Sequence, residues 1–220
     1  KDRRLRAESI HNHLLALFDL SGFSAKQEEM MRSLSLLGYV RIAKKRFCEY
    51  CGAEDHETEL DILIRRGWVE YDEASGKISL HQIILDLVYN DMQPCAENCP
   101  HIVGAMTDYL RESMPNHVER RIQRKLLGYF IRRVRGANLA YAGLCVSYCE
   151  HIARHSEYLD RAEEICLPNA ERGSRDLLQR ICRVKMQAAG SDDDLSAQML
   201  ERDDFDEDRY RYNLFSAQEI

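Results

Sequence analysis

The chain has 220 residues, of which 45% are hydrophobic and 31% charged, enough to build one large or two modest cores beneath a well-solvated surface. A formal net charge of -6 gives no overall attraction to polyanionic nucleic acid. No apolar run approaches the roughly 20 residues a bilayer-crossing helix needs, and the polar start KDRRLRAESIHNH does not read as a secretory signal. Four prolines and eleven glycines favour helices joined by short turns over a turn-rich all-β design.

Taken in chain order, 8–20 places Ile10, Leu14, Leu17 and Phe18 at helical spacing. Ser21-Gly22 interrupts it, and Ser24 with Gln27 three residues later is a capping-box signature for a second helix, which buries Met30, Met31, Leu34 and Leu37 and ends at Gly38. A short helix is expected over 43–50, stopped by Cys51-Gly52, and another over 55–66, with Leu60, Leu63 and Ile64 on one face and Gly67 closing it. The period then changes. Trp68, Val69 and Tyr71 lead into Asp72-Glu73-Ala74-Ser75-Gly76, and Ile78 and Leu80 follow, which predicts a two-stranded hairpin with a glycine-containing loop. The second strand runs into a helix beginning near His81, with Ile84, Leu85 and Val88 inward. Helices, a hairpin wing and one further helix describe a winged-helix domain over 1–92.

Past Pro94 the pattern is helical throughout, at 99–111, 118–134, 139–155, 158–166 and 174–188, with turn signals at Met114-Pro115-Asn116, Gly136 and Pro168-Asn169. Helices of this length with short breaks predict antiparallel pairs, an α-solenoid-like domain over 93–220. The fold class expected is therefore mainly α. An acidic stretch occupies 191–211, with Tyr210, Tyr212 and Phe215 near the end as docking side chains.

The chemistry-bearing candidates are few. Cys48 and Cys51 form a C-x-x-C, and Cys95, Cys99 and His101 add further donors, but zinc requires about four convergent ligands. Two separate pairs of partly buried thiols is the reading taken, with no metal expected and zinc stabilisation kept as a third class. Cys145, Cys149, Cys166 and Cys182 lie in apolar helical patterns, which predicts reduced thiols in a cytoplasmic protein. The single Gly-Lys pair, Gly76-Lys77, is followed by Ile78 inside the hairpin, so no phosphate-cradling P-loop is read, nor a G-x-S-x-G or H-E-x-x-H motif. No catalytic residue is expected in this chain. His11, His13 and His155 read as surface residues.

A winged helix raises the question of DNA. The helix ahead of the wing begins Glu54, Asp55, His56, Glu57, Thr58, Glu59, with Asp61 beyond, and the wing tip carries Asp72-Glu73; carboxylates aimed at phosphates repel them. A basic cluster does exist at Arg120, Arg121, Arg124, Lys125, Arg132, Arg133 and Arg135. It reads as a solvated face or a partner for the acidic stretch, with a site for an anionic ligand or nucleic acid as the sharper alternative.

Four runs together resemble a known group: Leu17-Phe18-Asp19-Leu20-Ser21-Gly22-Phe23-Ser24, Leu34-Ser35-Leu36-Leu37, Leu63-Ile64-Arg65-Arg66-Gly67-Trp68-Val69 and Ile78-Ser79-Leu80-His81. They look like the winged-helix region of STAND-class (NB-ARC-type) signal-transduction NTPases, relatives of apoptotic protease-activating factors and plant resistance proteins, and the resemblance covers about 8–113. Stretch 144–165 has the small and aromatic character of a tetratricopeptide unit, one residue off the usual spacing. The resemblance implies a winged helix that packs on an upstream nucleotide-binding domain and holds the off state. It also implies a histidine, in a Met-His-Asp motif, that meets the β-phosphate of ADP. The matching positions are Leu80, His81 and Gln82, so the methionine and aspartate are replaced and His81 is the candidate nucleotide-binding residue. A neutral histidine capping its helix is the other reading of the same position. The nucleotide-binding residues themselves are expected upstream of Lys1, a start without methionine being consistent with a piece of a longer protein. The chain alone then has no cofactor; ADP or ATP belongs to the full-length protein. The expected partners are that upstream domain and a protein bound by the helical part, not DNA and not a membrane. The competing expectation is a winged-helix transcriptional regulator.

Overall fold

The computed structural model describes residues 22–52, 56–152, 156–168 and 172–189, so the helix expected over 8–20 and the acidic stretch 191–211 lie outside the described residues. The fold is mainly helical, with one small three-stranded antiparallel sheet. The chain divides into two compact units: Lys1–Ile102 with Arg132–Val134, and Val103–Ile131 with Arg135–Ile220.

Among the described residues the first helix of the first unit is α1 (Ala25–Leu37). Ser24 is extended at the N-cap and accepts from the Gln27 N–H at 3.2 Å, while the Ser24 N–H donates to Gln27 Oε1 at 3.2 Å, so the capping box read from the sequence is formed in both directions. The Gln27 amide is then held from outside its own helix, donating to Glu59 Oε2 at 2.7 Å. Strand β1 (Ile42–Ala43), helix α2 (Lys44–Tyr50) and helix α3 (His56–Arg65) follow. Helix α3 ends as its sequence predicts. Gly67 takes φ +76, its N–H donates to the Ile64 carbonyl at 2.9 Å, and the Trp68 N–H donates to the Leu63 carbonyl at 3.0 Å. This pair of bonds satisfies carbonyls the helix leaves open and turns the chain toward the sheet.

Strands β2 (Glu70–Asp72) and β3 (Lys77–Ser79) pair antiparallel, with Tyr71 opposite Ile78. Their loop is tied by Asp72, whose carboxylate accepts from the Ala74 N–H at 3.1 Å and the Ser75 hydroxyl at 2.6 Å; Gly76, at φ +64, returns the chain, its N–H donating to the Asp72 carbonyl at 2.8 Å. The expected two-stranded hairpin is present, but it is part of a larger sheet. β1 pairs with the other edge of β3, Ile42 opposite Ile78, so the sheet has the order β1-β3-β2 with β3 in the middle. The central position explains why the Ile78 side chain is fully buried, and β1 covers backbone groups on β3 that a hairpin alone leaves unpaired.

Helix α4 (Gln82–Asp91) follows β3 directly and turns Ile84, Leu85, Leu87 and Val88 inward. The core of this unit gathers those side chains with Met30, Met31, Leu34, Leu37, Phe47, Leu60, Leu63 and Ile78, and Trp68 meets Phe23 edge-on at 4.8 Å.

Helix α5 (Pro100–Arg111) begins in the first unit and continues into the second, and α6 (His117–Arg133) begins in the second. Among the described residues, helices α7 (Leu139–His151), α8 (Ser156–Cys166) and α9 (Arg172–Ala189) follow in the second unit and pack on one another. Asn138 caps α7 by accepting from the Tyr141 N–H at 2.9 Å. The core here is built from Leu126, Leu127, Phe130, Leu144, Cys145, Val146, Ala162, Ile181 and Cys182. Arg180 of α9 grips Glu150 of α7 through two nitrogens, at 3.0 and 2.6 Å, and also reaches the Ser147 hydroxyl at 2.9 Å. Among the described residues no helix is long and apolar enough to cross a membrane.

Candidate functional site

The residue singled out by the sequence, His81, stands at a junction the local chemistry defines. β3 ends at Ser79, Leu80 buries its side chain, and His81 is the N-cap of α4 with extended backbone, φ -61 and ψ 145. The Ile83 N–H donates to His81 Nδ1 at 3.3 Å, and the Leu85 N–H donates to the His81 carbonyl at 2.9 Å. In accepting this bond Nδ1 carries no hydrogen, which leaves the N–H donor of the ring at Nε2. The imidazole thus caps the helix with one nitrogen and presents an N–H donor with the other, so the two readings of this histidine are compatible in one geometry. His81 is exposed, as are Gln82 and Ile83 after it. Ile83 is one of the few large apolar side chains left 43% exposed.

The face that a DNA-reading winged helix would present is acidic and already engaged. Lys44 lies between Glu57 (3.1 Å) and Asp61 (2.7 Å) of α3, and Glu59 accepts from Gln27. Burial pulls the Lys44 ammonium down, but its bonds to Asp61 and Glu57 outweigh this and hold it above the ordinary lysine value. At the hairpin tip the Asp72 carboxyl is held below its ordinary value by the Ser75 hydroxyl, by backbone N–H groups and by Arg41, 3.8 Å away.

The cysteines are less separate than their spacing implies. Cys51 and Cys99 are both buried in the first unit. Burial pushes the Cys51 thiol far up, and Cys48, Glu29 and Cys99 add to the shift; burial likewise drives Cys99 to about 12, against the pull of a bond from the Ser33 hydroxyl. His101 lies alongside, its Nδ1 2.8 Å from Glu29 Oε1 and its ring against Gly52, where an added Cβ would meet Cδ2 at 2.7 Å. No local pattern announces this meeting, since it depends on the start of α5 returning beside the end of α2. Among the described residues no three His, Cys, Asp or Glu side chains are arranged to hold a metal ion.

The basic cluster is divided between the two units. Arg133 belongs to the first unit, where its guanidinium lies 3.9 Å over the Tyr89 ring, its Nε–H donates to the Ser35 carbonyl at 3.0 Å and its own carbonyl accepts from the Tyr89 hydroxyl at 2.8 Å. Arg120, Arg121, Arg124 and Lys125 are exposed on the first half of α6, in the second unit.

Comparison with known proteins adds no assignment: no protein-family model matches the chain, and neither a curated protein nor a solved structure is found similar to it.

Proposed function

We propose that this chain is the regulatory region of a nucleotide-switched ATPase of the STAND/NB-ARC class. In this reading the first unit is a winged helix that packs on an upstream nucleotide-binding domain, and the second is a tetratricopeptide-like helical array, solenoid in plan, that binds a protein partner. The observation that carries the reading is the placement of His81: exposed, directly after the last strand, with Nδ1 committed to the cap and Nε2–H available to a phosphate oxygen. The order helix, strand, helix, helix, strand, strand, helix supports the winged-helix half, because it is the order that fold requires. The exposed Ile83 beside His81 supports a docking face at the same place. ADP bridging His81 and the upstream domain holds the winged helix down, and exchange for ATP shifts the population toward the released form.

The alternative, a transcriptional regulator, is disfavoured by Glu57, Glu59 and Asp61 on the helix that would enter the major groove. The test is ADP titration calorimetry on the protein carrying the residues upstream of Lys1. His81→Ala is expected to weaken ADP about tenfold, the worth of one hydrogen bond to a charged group. Unchanged affinity, or an upstream region that binds no nucleotide, removes the proposal; duplex-DNA affinity that falls steeply with salt replaces it with the alternative.

A further inference from the structure

The first half of α6 has a pattern its solvated surroundings do not explain. The helix buries Gln123, Leu126, Leu127, Phe130 and Ile131, and the Gln123 amide donates to the Tyr109 carbonyl, which fixes the rotation of the helix. On the opposite face, Val118, Ile122, Lys125 and Tyr129 follow one another at spacings of four, three and four, the seam along which one helix receives another element. Val118 is 68% exposed and Ile122 55%, a β-branched pair in water that a merely solvated face has no use for. Arg121 and Lys125 flank that pair on the same face, with Arg120 and Arg124 further round the exposed half of the helix, and among the described residues none of the four forms an ion pair.

We infer that this face is the docking site of the chain's own acidic segment, 191–208. That segment carries nine carboxylates against one arginine, and its Leu195 and Met199 are spaced four apart, as Val118 and Ile122 are. Helix α9, which leads into it, ends at Ala189 in the same unit. Eighteen residues span up to roughly 60 Å when extended, against a radius of gyration of about 13 Å for a unit of about 100 residues, so reach is not limiting. Tethering holds the segment at an effective concentration on the order of millimolar. That advantage favours the chain's own segment over a second copy, and a resident polyanion excludes nucleic acid from the same cations.

The test uses the full chain with p-benzoylphenylalanine in place of Ile122, an exposed position, irradiated at low protein concentration and mapped by mass spectrometry. Adducts to 191–208 within a single chain are expected, falling at least fivefold in 1 M sodium chloride and in Arg121→Glu with Lys125→Glu, whose unchanged circular dichroism shows an intact fold. Adducts joining two copies, adducts to co-purifying nucleic acid, no adduct in 191–208, or a yield indifferent to salt and charge reversal overturns the inference.

Discussion

His81 caps its helix and, in the proposed switch, also meets the nucleotide, and substitution separates the two. Removing the imidazole strips the Ile83 N–H of its acceptor, a loss of the kind that costs about 1 kcal/mol at other N-caps. Asparagine places a side-chain acceptor at the same position. His81→Ala is therefore expected to lower the thermal midpoint of the chain by a few degrees while His81→Asn restores it, both read by circular dichroism; equal destabilisation by the two would remove the cap from the account. Under the proposed nucleotide switch, His81→Asn is expected to stay stable yet keep the ADP defect of His81→Ala, because an amide at the cap does not extend an N–H where Nε2 does. At this scale the sequence was legible wherever partners are neighbours. Ser24 and Gln27 announce their capping box because both bonds close within three residues. The bond from Gln27 to Glu59, and the approach of His101 to Gly52 and Glu29, depend on chain reversals and leave no local trace.

Between single residues and units, the informative joint is the passage from α3 to the sheet. Gly67 holds φ +76, and nothing lies within 4 Å of where its Cβ would stand, so substitution there meets backbone strain and no crowding. Gly67→Ala is expected to cost about 1–2 kcal/mol, the penalty of the left-handed region for an L-residue, seen as a lower midpoint in urea with an unchanged slope. A changed slope would instead mean that the hairpin no longer folds with the rest. Element boundaries were readable here because glycines and caps mark them: Gly38, Gly67 and Gly76 end or turn the elements that the hydrophobic period begins. Strand β1 was not readable, since two residues are too few to express a period of two, and Ile42 is committed to the sheet only by Ile78 across the ladder. The basic face of α6 was visible as composition, but its division between the units, with Arg133 drawn to Tyr89 and Ser35, was not.

At the scale of the whole chain, the pH dependence of stability follows from eight cysteines, none of them in a disulfide. Six are buried, Cys51 and Cys99 in the first unit and Cys145, Cys149, Cys166 and Cys182 in the second; Cys48 and Cys95 are half-buried. Burial is the leading cause of every resolved thiol shift and always acts upward, taking Cys99 and Cys145 to about 12 and Cys182 to about 11 from an ordinary 9.0. A native pKa above the unfolded one means that the unfolded chain loses protons first. The stabilisation is therefore complete below about pH 9, where thiols are protonated in both states, and declines as pH climbs from 9 through 11–12. Lys185 acts in the same direction. Burial depresses its ammonium, but the bonds it donates to Glu163 and Asp160 at 2.9 Å outweigh this and raise it above 10.5, so these contacts also weaken only in alkali. The opposing case, Asp72 on the exposed hairpin tip, is screened by water and sets no comparable acid limit. Urea midpoints are accordingly expected to be flat from pH 7 to about 9 and to fall steadily above it. Ellman titration of the native chain at pH 8 is expected to show two fast thiols, with the other six reacting only after unfolding. Replacing Cys48 and Cys95 by serine should abolish the fast phase and leave most of the alkaline decline in place, since the half-buried pair supplies the reactivity while Cys51, Cys99, Cys145, Cys166 and Cys182, all raised by burial, supply most of the pH dependence; a decline that vanishes with that pair would move its origin from the two cores to the surface of the first unit.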